Sequence, residues 1–108
     1  EKTGELLMSL CYHPVSSKLV VTVLKGKNLK GKDFFNFSGT KTSDPYVKIW
    51  LVQNGKKLEK KKTLVKRVTL HPVFNESFLF IVSADKIRDT ALLVSAMDHD
   101  RVGRNEVI

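Results

Sequence analysis

The sequence predicts an all-β protein, a sandwich or barrel built from short antiparallel strands. Three observations carry this. Six segments of strand length are rich in apolar, β-branched or aromatic residues, or alternate apolar with polar positions. Turn-forming residues separate those segments at regular intervals. No segment holds the 3.6-residue helical period over the length of a helix.

Taken in order, Glu5 to Tyr12 (ELLMSLCY) is an apolar run that ends at His13-Pro14 and Ser16-Ser17, which read as the first turn. Lys18 to Leu24 (KLVVTVL) is dense in valine. Tyr46 to Val52 (YVKIWLV) alternates. Tyr46, Lys48, Trp50 and Val52 share one face, and Val47, Ile49 and Leu51 share the other. Asn54-Gly55 follows, a strong signal for a tight hairpin because both residues accept positive φ. Lys57 to Lys66 mixes lysines with Leu58, Thr63 and Val65, as a solvent-facing strand does. His71-Pro72 breaks the pattern before Ser77 to Val82 (SFLFIV). Ala84 to Arg88 suits one helical turn, with Ser83 as its cap and Asp85 near its start. Leu92 to Met97 (LLVSAM) is the sixth strand.

With 108 residues the chain fits one domain. No apolar run approaches the roughly 18 residues needed to span a bilayer as a helix. Glu1-Lys2-Thr3-Gly4 lacks the basic and apolar regions of a signal peptide and reads as a cut into a longer protein. Cys11 is the single cysteine, so no internal disulfide forms, in keeping with a reducing compartment. The net charge of +8 points to a polyanionic partner, either nucleic acid or an anionic lipid surface.

Only 11 residues are acidic, yet five of them gather around two loops. Asp33 and Asp44 bracket the long loop of about residues 30–43, which also holds Phe34, Phe35 and Phe37. Asp98, Asp100 and Glu106 follow the sixth strand. In extended backbone Asp98 and Asp100 face the same way, and their mutual repulsion is relieved by a hard cation. Ca²⁺ gathers about six to eight oxygens and suits such a cluster. Alone, the Asp-x-Asp pair is weak support, since aspartate also favours turns. The spacing does not match an EF-hand.

These motifs together resemble a C2 domain, most closely the second (C2B) domain of synaptotagmin-type proteins. The resemblance runs along nearly the whole chain. It rests on Gly4-Glu5-Leu6-Leu7, Asn28-Leu29-Lys30, Ser43-Asp44-Pro45-Tyr46-Val47-Lys48 and Lys60-Lys61-Lys62-Thr63. It continues through His71-Pro72-Val73-Phe74-Asn75-Glu76-Ser77-Phe78, Asp98-His99-Asp100 and Arg104-Asn105-Glu106. It implies an eight-stranded antiparallel β-sandwich, here without the family's final strand and C-terminal helix, which leaves an edge open to a dimer or a strand swap. It implies that Asp33, Asp44, Asp98, Asp100 and Glu106 hold two or three Ca²⁺ ions, with Phe34 and Val102 as membrane-inserting loop tips. Glu106 stands where the family usually has aspartate, and the loop between Asp33 and Asp44 is longer than usual.

Lys56 to Arg67 carries seven basic residues against one acidic, Glu59. Lys60 and Lys62 fall on one face of a strand and Lys61 on the other. The resemblance implies that Lys60, Lys61 and Lys62, with Tyr46 and Lys48, form a polybasic surface for phosphoinositides and acidic partners such as SNARE-type proteins. On charge alone, the same lysines also suit a solvated edge strand protected against aggregation. Two functions remain open: Ca²⁺-regulated binding to anionic phospholipid membranes in trafficking and exocytosis, or a Ca²⁺-independent adaptor working through the lysine-rich strand. Either implies a place on the cytoplasmic face of a vesicle or plasma membrane, within a longer membrane-anchored protein. Nucleic acid is disfavoured, because the basic strand lacks interleaved aromatics for base stacking. No nucleophile, base and orienting group combine into a catalytic set, so an enzyme is not expected.

Overall fold

Alternation of burial along two central strands organises the molecule, and a computed structural model describes residues 4–30, 43–99 and 105–108. Strand β1 spans Glu5–His13 and β2 spans Lys18–Lys27. They pair antiparallel across a turn in which Ser17 takes φ 56° and donates its N–H to the Pro14 carbonyl at 3.3 Å. Strand β3 (Pro45–Gln53) turns directly into β4 (Lys56–Lys62), and Gln53 pairs with Lys56. Asn54 and Gly55 have φ of 49° and 77°, the two positive values that a two-residue type I′ hairpin requires. Strand β5 covers Val73–Ile81, β6 covers Thr90–Asp98 and β7 is the pair Glu106–Val107.

The strands form two antiparallel sheets, ordered β1-β2-β5 and β4-β3-β6-β7. Every second residue of β2 and β3 enters the space between them. Leu19, Val21 and Val23 meet Val47, Ile49, Leu51, Phe74, Phe80 and Val82 in one core. Burying each such side chain contributes roughly 1.5–3 kcal/mol. Tyr12 closes the rim of this core, donating its hydroxyl to the Val82 carbonyl at 2.8 Å. This is the two-layer sandwich that the sequence predicts.

Several boundaries differ from the sequence pattern, with β2 running on to Lys27 and β6 spanning Thr90–Asp98. Strand β4 stops at Lys62 rather than Lys66, because Thr63 turns inward. Its hydroxyl accepts the Val47 N–H at 2.8 Å, and its own N–H reaches the Val47 carbonyl at 2.9 Å. Strand β5 begins at Val73, four residues before the clear alternation. Asn75, at φ 49°, interrupts the pattern without ending the strand. The expected helical turn is a 3₁₀ turn over Ile87–Asp89, and no side chain caps it. Ser83 instead hydrogen-bonds the Asp85 side chain and, with a backbone N–H, lowers its carboxyl pKa from the ordinary value.

Candidate functional site

The start of β3 and the end of β6 lie side by side, and this register builds the acidic end of the molecule. Pro45 pairs with Asp98, and Asp98 pairs in turn with Glu106 on β7. Asp44 immediately precedes Pro45. Its N–H donates to Asp98 Oδ1 at 2.9 Å, while its carbonyl accepts the His99 N–H at 3.0 Å. The two backbones therefore clasp each other at the point where both carboxylates emerge.

The Asp44 side chain is fixed from a second direction. Its Oδ1 accepts the Val68 N–H at 2.6 Å, and its Oδ2 lies 3.9 Å from Arg67 Nη1. Asp44 is 8% exposed and Asp98 9%, whereas Glu106 is exposed. Hydrogen bonds from backbone N–H to an ionised carboxylate are strong and preserve its geometry. Val68 supplies its N–H from φ 52°, a conformation that a β-branched residue rarely adopts. Behind it, Thr69 N–H bonds the Ser43 carbonyl at 2.9 Å, and the buried Ser43 hydroxyl donates to the Leu29 carbonyl at 2.6 Å. The segment 67–69 thus buttresses Asp44. Sequence reasoning missed this segment, because nothing in the order Arg67-Val68-Thr69 signals a carboxylate support.

Asp33, Asp100, Phe34 and Val102 lie outside the described residues, as do Phe35 and Phe37. Among the described residues no group of three His, Cys, Asp or Glu side chains comes together as a metal cluster. Asp44 and Asp98 are nonetheless adjacent, pre-positioned oxygen donors, and Glu106 leaves the same face of the sheet as Asp98. That donor chemistry fits a hard cation such as Ca²⁺.

The basic residues occupy a different surface. Across the β4-β3-β6 sheet, Lys62, Lys48 and Ser95 form one row, and Lys60, Trp50 and Leu93 form the next. The register then slips at Leu58, so that Val52 faces Lys57 on one side and Ala91 on the other. The Nζ atoms of Lys57 and Lys60 lie 5.3 and 5.5 Å from the Trp50 ring centroid. Such cation–π contacts contribute about 0.5–1 kcal/mol each at exposed sites. Lys61, paired with Ile49, points to the inner side of the sheet. Its Nζ sits 5.6 Å from the ring of fully buried Phe80 and 3.6 Å from Glu59 Oε2. Tyr46 is 7% exposed, and its hydroxyl accepts the Asn105 Nδ2–H at 3.1 Å. The parity of β3 already put Trp50 on the face of Lys48. Lys57 joins that face only through the slip at Leu58, which has no signature in the sequence.

The C2 domain family model matches residues 17–108. The chain belongs to the C2 family. It is 47% identical over 105 residues to synaptotagmin-7 of Mus musculus and 48% identical over 108 residues to synaptotagmin-2 of Homo sapiens. These matches cover 97% and 100% of the chain, and the chain spans 25% of each relative's length. In fold it is similar to a C2 domain of RIM from Drosophila, with a TM-score of 0.81 at 23% identity, covering 98% of this chain and 81% of that one. It is also similar to a C2 domain of plant extended synaptotagmin 1, with a TM-score of 0.66 at 34% identity, covering 88% and 65%. The expected synaptotagmin-type C2 sandwich is therefore established, and such a domain is a non-catalytic module. Among the described residues no helix is long and apolar enough to cross a membrane.

Proposed function

We propose that this C2 domain binds anionic phospholipid membranes under Ca²⁺ control, in vesicle trafficking and exocytosis. The observation that carries the reading is the Asp44–Asp98 clasp. It holds two nearly buried carboxylates close together on fixed backbone, each accepting a backbone N–H, with Arg67 beside Asp44. Asp44 and Asp98 would hold the ion, with Glu106 from β7 and with Asp33 and Asp100. Bound Ca²⁺ supplies positive charge and open coordination positions for lipid phosphate or carboxylate. Phe34 and Val102 follow as the loop tips that enter the headgroup region.

The lysine-rich face works beside this site. Lys48, Lys60 and Lys62 attract acidic lipids and phosphoinositides, each contributing about 1 kcal/mol near an anionic surface. SNARE-type proteins are the acidic partners that would suit the same charge. The order of motifs is that of a second C2 domain in a longer, membrane-anchored synaptotagmin-like protein on the cytoplasmic side of a vesicle or plasma membrane. The 108 residues are read as one C2 domain.

A second reading is favoured by a specific feature: the lysine face is assembled on β3, β4 and β6 independently of the acidic loops. On that reading the domain is a Ca²⁺-independent adaptor. Vesicle co-sedimentation in Ca²⁺ and in chelator separates the two. Binding that rises with Ca²⁺ supports regulation. Equal binding in both, with no heat on calorimetric titration of Ca²⁺, replaces it with the adaptor.

A further inference from the structure

Arg67 is a fixed positive charge at the end of the molecule whose donors suit a cation. The chain path puts it there. Thr63 turns inward at the end of β4, and residues 66–69 then run beside residues 43–45. Lys66 N–H donates to the Pro45 carbonyl and Thr69 N–H to the Ser43 carbonyl, both at 2.9 Å. Between these anchors Val68, at φ 52°, turns its N–H onto Asp44 Oδ1 at 2.6 Å. The backbone of Arg67 is thereby held beside Asp44, while its head is held loosely. Nη1 lies 3.9 Å from Asp44 Oδ2, and the arginine side chain is 47% exposed against 11% for the aspartate. That separation exceeds the roughly 2.7–2.9 Å of a charge-assisted hydrogen bond. A half-exposed pair of this kind is weak and easily displaced. The two oxygens of Asp44 therefore differ: Oδ1 is committed to the backbone, and Oδ2 faces a guanidinium that can leave.

We propose that Arg67 is an internal competitor for the cation site and sets its Ca²⁺ affinity. The proposal rests on the Ca²⁺ reading above and adds the residue that tunes it. Ca²⁺ and the guanidinium seek the same oxygen, Asp44 Oδ2, because Oδ1 already accepts the Val68 N–H. In the ion-free domain Arg67 offsets the repulsion between the nearly buried carboxylates of Asp44 and Asp98. Toward an arriving divalent cation the same charge is repulsive. Arg67 therefore stabilises the ion-free domain and lowers ion affinity, which raises the concentration at which the site fills. A residue that merely supported Asp44 would act with the opposite sign. Losing such a support weakens metal binding, typically about 10–100-fold.

Calorimetric titration of Ca²⁺ tests this, together with thermal melting in chelator and in saturating Ca²⁺. The proteins compared are the wild type, Arg67→Gln, Arg67→Lys and Lys18→Gln. Arg67→Gln removes the charge and keeps a polar side chain. It should bind Ca²⁺ about 3–10-fold more tightly at low salt. The gain should shrink as ionic strength rises. In chelator it should melt a few degrees below the wild type, and in saturating Ca²⁺ the deficit should vanish. Arg67→Lys keeps the charge and should keep an affinity near that of the wild type. Lys18→Gln makes the same change in net charge at the far end of β2, about 30 Å of strand away, and should leave affinity unaltered. Unchanged affinity in Arg67→Gln overturns the proposal and leaves the Ca²⁺ reading standing. Weaker binding overturns it too and makes Arg67 a support for Asp44. Equal gains in Arg67→Gln and Lys18→Gln overturn it in favour of net charge. No heat and no Ca²⁺-dependent melting shift in any of the four proteins overturns both the proposal and the Ca²⁺ reading.

Discussion

The acidic end and the lysine face are both clusters of like charge, but they are held in opposite ways. Asp44 and Asp98 are nearly buried, and each accepts a backbone N–H, at 2.6 and 2.9 Å. Lys60 and Lys62 are exposed, and Lys57 and Lys60 rest on an aromatic ring. The first arrangement limits side-chain freedom before any ligand arrives, which suits a site that must select one ion by geometry. The second leaves long stems free in water, where attraction is additive, weakly directional and screened within about 8–10 Å at ordinary ionic strength. Specificity and regulation should therefore reside at the acidic end, and salt-sensitive adhesion on the face.

The strongest way to break this comparison is Asp44→Asn. The amide oxygen can still accept the Val68 N–H, so the fold is expected to persist while one ligand charge is lost. Removal of outer-shell partners alone lowers metal affinity about 10–100-fold, and loss of a direct ligand should reach at least ~100-fold. Calorimetric titration of Ca²⁺ checks this, with an unchanged melting temperature in chelator as the control for folding. Retention of wild-type affinity would remove Asp44 from the site.

The next effect tests the face. Lys60→Ala with Lys62→Ala should reduce affinity for anionic vesicles by roughly 2 kcal/mol, about 30-fold at low salt. The loss should shrink as ionic strength rises. Calcium titration in the absence of lipid should be unaltered. A salt-independent loss would show that these lysines make specific contacts rather than a diffuse field.

Much of this contrast was legible in the sequence, though unevenly. Period-2 alternation in Tyr46 to Val52 placed Lys48 and Trp50 on one face, and Asn54-Gly55 set the β3–β4 register. Asp44 and Asp98 were visible as turn-adjacent aspartates. Their direct link was not, because it depends on Pro45 pairing with Asp98, residues that lie far apart in the chain. The two-residue strand β7 was also missed, since Glu106-Val107 is too short to show any period. Arg67 and Val68 reach Asp44 only through a chain path set by Thr63 turning inward, which no local pattern encodes.

Val68 sharpens the comparison further, because it stores strain at the acidic end. It is 63% exposed and sits at φ 52°, with its N–H donated to Asp44 Oδ1. A left-handed conformation costs an ordinary residue about 1–2 kcal/mol, and asparagine tolerates it better. Val68→Asn should therefore raise unfolding stability by about 1 kcal/mol, read as a higher urea midpoint with an unchanged slope. Calcium affinity should hold, since the backbone donor is retained. A lower midpoint would mean that the Val68 side chain packs more than its exposure suggests.

The smallest effect concerns Lys61, which lies between the two lysines of the face yet turns inward. Its cation is 5.6 Å from the Phe80 ring, and its stem crosses the edge of the core beside Glu59. Lys61→Ala should cost about 0.5–1 kcal/mol of stability through the lost ring contact and stem packing. Its effect on vesicle binding should be smaller than that of Lys60→Ala. The reverse holds at Lys60, because Lys57 remains over Trp50 when Lys60 is removed. Equal binding losses for the two variants would mean that membrane docking reaches around the β4 edge, and the boundary between face and core would have to be redrawn there.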